Sequence, residues 1–278
     1  CMKKLYPMGL IALIFLFGIA FILYPSIGNL VTLSTASISI ADYEEKVEEM
    51  KDTGAQERLE EARTFNQHLF YGVNEEDEDK CLNMDSGGLI GYLEIPVISV
   101  YLPVYYGTSD EVLSKGVGYI VNSSLPVGGV NTHSVLSGHT GLPGAELLSS
   151  LDKMKEGDMF FIHVLGETLA YEVDEISVVK PDETEELKIF PGKDYVTLVT
   201  CTPYGVNSDR LLVRGKRTDY VPEELKEQAS GNGTVKAGLS SVIKRQILVI
   251  VVIVAAAVIV AVSAEIYRRR SLKKPDEK

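Results

Sequence analysis

Cys201 and Arg210 flank the loop TPYGVNSD in the stretch TLVTCTPYGVNSDRLLVRGKR, residues 197–217. The cysteine closes one apolar run, YVTLVT, and the arginine opens another, RLLVRGKR. The loop between them carries Pro203, Gly205, Asn207 and Asp209, all turn-forming types. Two such runs pair as neighbouring strands, which sets a thiol close to a guanidinium. An adjacent guanidinium favours the thiolate and also holds a carbonyl oxygen that gains negative charge. That combination suits attack of sulfur on a carbonyl. The alternative is a structural cysteine, because Cys is among the most commonly buried residue types.

A nucleophilic thiol also needs an acid–base partner. The chain has four histidines. His68 lies on a charged segment and reads as solvated. His163 lies mid-strand in FFIHVLG and reads as a surface or hydrogen-bonded residue. His133 and His139 share NTHSVLSGHTGLPG. His139 follows the end of a strand-like run and precedes a loop with Gly and Pro, which places it at a rim where functional residues gather. It is the preferred partner, although spacing alone does not bring it to Cys201. Three cysteines, Cys1, Cys81 and Cys201, are too few for a disulfide framework. The carboxylates at 75–79 (EEDED) lack the alternating geometry of a cation loop, so no metal or cofactor is expected. A net charge of −12 argues against a nucleic-acid partner.

The elements that must position these residues show in the apolar patterning. From Gly88 to Arg217 short runs rich in Val, Ile, Tyr, Leu and Thr alternate with Gly, Pro, Asn and Asp: IGYLEIPVI, VYLPVYYG, HSVLSGH, DMFFIHVLG, LAYEVDEISVV, YVTLVT and RLLVRGKR. Seven or eight such strands predict a barrel or a sandwich, mostly β, with few helices. GAELLSSLDKM, residues 144–154, reads as a short amphipathic turn or two. Residues 42–70 carry apolar side chains at three- and four-residue steps and read as a helical arm, interrupted at Gly54. An acidic loop, 71–88, joins the arm to a barrel segment at 88–220. A Gly- and Ser-containing linker, 221–243, follows.

Two uncharged apolar runs lie near the ends, within 5–31 and 247–267, each long enough to cross a bilayer. A cleaved leader is the competing reading for the first run, but no convincing small-x-small cleavage site follows it; STASIS is the nearest. Lys3 and Lys4 before the first run, and a basic tail at 268–278 after the second, place both termini in the cytoplasm and the barrel outside. The lipid bilayer is therefore an expected partner.

Three stretches together resemble the class C, pilin-polymerising sortases. They are GYLEIPVI, the long segment SLPVGGVNTHSVLSGHTGLPGAELLSSLDKMKEGDMFFIHV, and VTLVTCTPYGVNSDRLLVRG with its Thr-Leu-x-Thr-Cys signature. The resemblance runs from about residue 88 to 217. It implies an eight-stranded closed β-barrel, with His139, Cys201 and Arg210 as catalytic residues. It implies a cysteine transpeptidase that cuts an LPxTG-like sorting signal between Thr and Gly and joins the Thr carbonyl to a lysine amine of another pilin subunit. Attachment of surface proteins to a cell-wall precursor and a non-catalytic assembly scaffold remain as alternatives. Class C sortases commonly carry an Asp-Pro-aromatic lid ahead of the barrel, and this chain has no Asp-Pro dipeptide. Residues 71–88 occupy the equivalent place. Asp77, Asp79 or Asp85 could then approach Arg210, and Cys81 could lie near Cys201 and pair with it.

Overall fold

The computed structural model describes residues 5–73, 81–82, 87–142, 144–219 and positions 248, 251 and 252. The strands are β1 Leu89–Ile95, β2 Val100–Tyr106, β3 Val117–Tyr119, β4 Thr132–Ser137, β5 Met159–Val164, β6 Glu167–Val179, β7 Asp194–Thr202 and β8 Asp209–Arg217. They close into a barrel in the order β1-β2-β3-β4-β7-β8-β6-β5, with β5 returning to β1. Closure leaves no open sheet edge. The β2–β3 and β4–β7 contacts are parallel and the others antiparallel. β3 is too short to show an alternating pattern in the sequence. Residues 144–154 form turns and a short 3-10 segment at Leu151–Lys153.

Side-chain alternation divides the β4–β7–β8 wall into two faces. Leu136, Val196, Leu198, Leu211 and Val213 point into the main core. Val135, Val199 and Leu212 point outward and form a separate cluster, covered by Leu187 from the segment between β6 and β7. Cys201 and Arg210 have the parity of Val199 and Leu212, so they belong to this outer face.

The arm begins earlier than the sequence predicts. α1 runs Leu5–Glu49 and α2 runs Lys51–Tyr71, with a turn at Met50. The expected break at Gly54 does not occur. Glycine inside a helix costs about 1 kcal/mol relative to alanine. Burial of Ala55, Leu59, Ala62 and Phe65 against the barrel core outweighs that, at about 1.5–3 kcal/mol for a side chain the size of Leu59 or Phe65. A short α3, Asp110–Lys115, links β2 to β3.

α1 packs Ile40 and Tyr43 among Leu89, Tyr92 and Tyr105. The Tyr43 hydroxyl donates to the Ile90 carbonyl (3.2 Å) and accepts from the Leu165 N–H (2.8 Å). Burial pushes its pKa up to about 12. α2 is pinned by Asn66, whose amide donates to the Leu125 carbonyl (3.0 Å) and accepts from the Leu125 N–H (2.7 Å).

Among the described residues no helix is long and apolar enough to cross a membrane. The predicted spans fall largely outside that set: the side chains of 5–16, and all of 247–267 but three positions. At its C-terminal end the first apolar run touches protein, because Gly28 and Asn29 pack against the loop after β4. The linker 221–243 and the tail 268–278 lie outside the described residues, as do 74–80 and 83–86 of the acidic loop.

Candidate active site

The strand register assembles the site. β4 and β7 run parallel with Ser137 beside Val199. The ladder continues past the strand end, where the Gly138 N–H donates to the Val199 carbonyl (3.0 Å). The same offset carried two residues beyond Ser137 sets His139 beside Cys201. On the other side Cys201 lies opposite Arg210 of β8, and Arg210 opposite Val179 at the end of β6. By register the backbones of His139, Cys201 and Arg210 therefore stand in one row on adjacent strand lines, which are about 4.8 Å apart, with Cys201 in the middle. All three residues are half-buried.

Each member is held by its neighbours. Thr200, buried beneath the row, donates its hydroxyl to the Gly138 carbonyl (2.7 Å) and accepts from the Thr140 hydroxyl (2.5 Å). It thus ties the Gly138 carbonyl and the Thr140 side chain on either side of His139. The rest of that loop folds back: the Leu148 N–H donates to the His139 carbonyl (3.3 Å), and Leu147, Leu148 and Leu151 anchor in the core. The Arg210 Nη1 donates to the carbonyls of Asn207 (3.3 Å) and Asp209 (3.0 Å), which orients the guanidinium. Asp209 is paired with Lys180, and hydrogen bonds from Lys180 and Ser208 hold its carboxyl below the usual carboxylate range. That carboxylate is satisfied by partners other than Arg210. Tyr204 reaches across the mouth, its ring about 3.2 Å from where a Cβ on Gly141 would stand.

The other sequence candidates fall elsewhere. His163 hydrogen-bonds Glu94 and Thr168 and stacks on Tyr92, as a satisfied strand residue does. His133 is fully buried between Lys188 and Thr197, away from the thiol's end of β7. Cys81 packs half-buried against the main core, and no disulfide joins it to Cys201. Asp77, Asp79 and Asp85 lie outside the described residues. A cavity of about 400 Å³ between α2 and residues 128–132 is at the opposite pole, next to the start of β4, and contains none of the three row residues. Among the described residues no cluster of His, Cys, Asp and Glu could hold a metal ion.

A cysteine whose neighbours in the row are a histidine and an arginine has the residue types that acyl transfer through sulfur needs. The comparisons agree with that chemistry. A Sortase domain profile matches residues 93–218. The crystal structure of Clostridium perfringens sortase C, solved with the C-terminal cell wall sorting motif, is 51% identical, with a TM-score of 0.63 over 66% of this chain and 100% of that one. The chain belongs to the sortase family. Sortases are cysteine transpeptidases, and the structural neighbours of this one are of class C. Streptococcus pneumoniae sortase C is similar at 46% identity, with a TM-score of 0.61 over 66% of this chain and 97% of that one. Sortase A of Streptococcus agalactiae is 34% identical over 131 residues. That match spans about half of the relative's length (52%) and 46% of this chain.

Within this sortase, sequence reasoning missed the supporting residues. Thr200 stands inside the Thr-Leu-x-Thr-Cys signature, which signals its importance without its role. Lys180 carries no local signal at all, because its partner Asp209 is on another strand.

Proposed function

We propose that this sortase is a membrane-anchored enzyme that joins pilin subunits through a thioacyl intermediate. The observation that carries the reading is the row His139–Cys201–Arg210 on a barrel 51% identical to a sortase C. The Cys201 thiolate attacks the Thr carbonyl of an LPxTG-like sorting signal. Arg210 holds the oxyanion of the tetrahedral intermediate. His139, as imidazolium, gives its proton to the departing Gly amine, and the Thr–Gly bond breaks. The thioester remains. A lysine amine of the next pilin attacks it, His139 takes the amine's proton, and an isopeptide bond forms as the thiolate leaves. The uncharged runs within 5–31 and 247–267 anchor the enzyme in the cell membrane, with both termini cytoplasmic and the barrel outside.

The test is incubation of the full chain with a sorting-signal peptide and a pilin. Wild type gives a peptide-thioester adduct by mass spectrometry and a high-mass ladder on a denaturing gel; Cys201→Ala gives neither. A ladder from Cys201→Ala ends the proposal. The missing Asp-Pro dipeptide favours a second reading, in which the acceptor is a cell-wall precursor amine. Adduct formation without a ladder, resolved by a peptidoglycan-type amine, selects that reading.

A further inference from the structure

α1 lies along the barrel like a ruler. At one end Gly28 touches Gly144, and the Asn29 side-chain carbonyl accepts from the Glu146 N–H (3.0 Å). Gly144 and Glu146 belong to the loop that carries His139. At the other end Tyr43 bonds Leu165, and Val47 packs at Gly166, in the β5–β6 turn. That turn is at the opposite pole, because β6 reaches the Cys201 row only at its last residue, Val179. From Gly28 to Val47 the helix rises roughly 28 Å, between its contact with the loop after β4 and its contact with the β5–β6 turn. It follows the β1–β2 wall, across the barrel from the cleft. The N-terminal part of α1 therefore projects beyond the catalytic pole.

That projecting part is apolar. Phe17, Phe21, Tyr24 and Ile27 are 72%, 76%, 65% and 47% exposed and fall on one helical face. The run Leu5–Ile27 has no charged residue and, as helix, is about 34 Å long against a hydrocarbon core of about 30 Å. Pro25 removes one bond of the helix ladder just before the contact. The direction of the anchor relative to the barrel is then set by the contacts at Gly28 and Asn29. A Cβ on Gly28 would stand 2.9 Å from the Gly144 Cα, so only glycine lets the two backbones approach this closely.

We infer that the Gly28–Gly144 and Asn29–Glu146 contacts hold the catalytic mouth against the bilayer surface, with the far pole pointing away from it. The mouth's rim suits this place: Tyr204 and Val206 are each 70% exposed, and tyrosine is at home at the membrane interface. The substrate is then a peptide whose own apolar anchor sits in the same leaflet, about a barrel's width from α1. The inference rests on α1 being the membrane anchor proposed above, but its test does not use catalysis.

The chain has no tryptophan, so a single introduced one reports its own surroundings. Val206→Trp marks the mouth and Val130→Trp marks the far pole, both at residues 70% exposed. Each full-length variant is placed in vesicles with and without a lipid carrying a nitroxide on its headgroup. The expected result is loss of Val206→Trp emission with the nitroxide lipid and unchanged Val130→Trp emission. Adding Gly28→Leu to Val206→Trp is expected to reduce that loss. Equal quenching at the two sites, stronger quenching at Val130→Trp, quenching of neither, or indifference to Gly28→Leu overturns the inference. Thioester formation with a soluble sorting peptide, measured on wild type in the same vesicles, tests the enzymatic reading separately.

Discussion

At the scale of single residues, the proposed chemistry gives Cys201 an acid–base group on one side and an oxyanion holder on the other, so neither job competes with the other. Arg210 is oriented by two loop carbonyls through Nη1. A lysine in its place is a point charge without the planar fork and lacks that pair of bonds in the same geometry. Arg210→Lys is expected to lower kcat/KM for a sorting peptide about 10²–10³-fold, the usual cost of losing one oxyanion donor. The drop should appear in kcat more than in KM, and steady-state kinetics on peptides reads the split. His133 plays a different part. The Lys188 carbonyl (2.7 Å) only accepts, so Nδ1 carries the proton, and Nε2 accepts from the Thr197 hydroxyl (2.7 Å). Burial lowers its pKa, helped by the charge of nearby Arg214; the Lys188 bond and the charge of Asp174 oppose this without reversing it. The neutral ring is thus the native form. The unfolded chain binds this proton more readily, so the stabilisation is complete above the ordinary histidine value near 6.5 and is lost as pH falls below it. Denaturant midpoints measured from pH 7.5 down to 5 should fall more steeply in wild type than in His133→Gln. Parallel slopes in the two proteins would remove His133 from the pH response.

At the scale of elements, the strands were readable because seven of them show runs of β-forming residues between turn residues. β3 was not, because three residues between Gly116 and the turn after Ile120 carry no period. The order in which the strands pair was not readable either. His139 meets Cys201 only through the parallel β4–β7 contact, which joins strands 62 residues apart in register. Loop position pointed to His139, while its meeting with Cys201 came only as an implication of the resemblance. The helix break moved from Gly54 to Met50 because tertiary burial, not local propensity, decides where the arm turns across the far pole. That docking makes its own prediction. Asn66 is the partner of both backbone groups of Leu125, all of them buried. Asn66→Ala leaves the N–H and the carbonyl without it, at about 1–3 kcal/mol each. The urea midpoint should fall accordingly. Because Asn66 sits at the pole away from Cys201, kcat/KM under native conditions should hold. A variant that keeps its midpoint and loses activity would contradict this division of the barrel into a catalytic and a supporting pole.

At the scale of the whole molecule, the fold separates three tasks along one axis. In the proposed reading the apolar runs provide the anchor; the loop after β4 meets α1 where the first of them ends, and α2 closes the far end. If the inferred contacts orient the anchor, the enzyme has little freedom to swing its mouth away from its own membrane. Its acidic character, with a net charge of −12, adds repulsion from other surfaces of the same sign. Joining of anchored substrates should therefore proceed within one membrane and not between two. The measurement uses full-length enzyme and a pilin carrying its sorting signal and apolar tail, placed either in the same vesicles or in separate ones at equal total concentration. A ladder on a denaturing gel is expected only in the shared vesicles, while a soluble sorting peptide should be captured equally in both arrangements, because it reaches the mouth by diffusion. If ladders form as fast between vesicles as within them, the mouth is free to face outward, and α1 is a tether rather than an orienting strut.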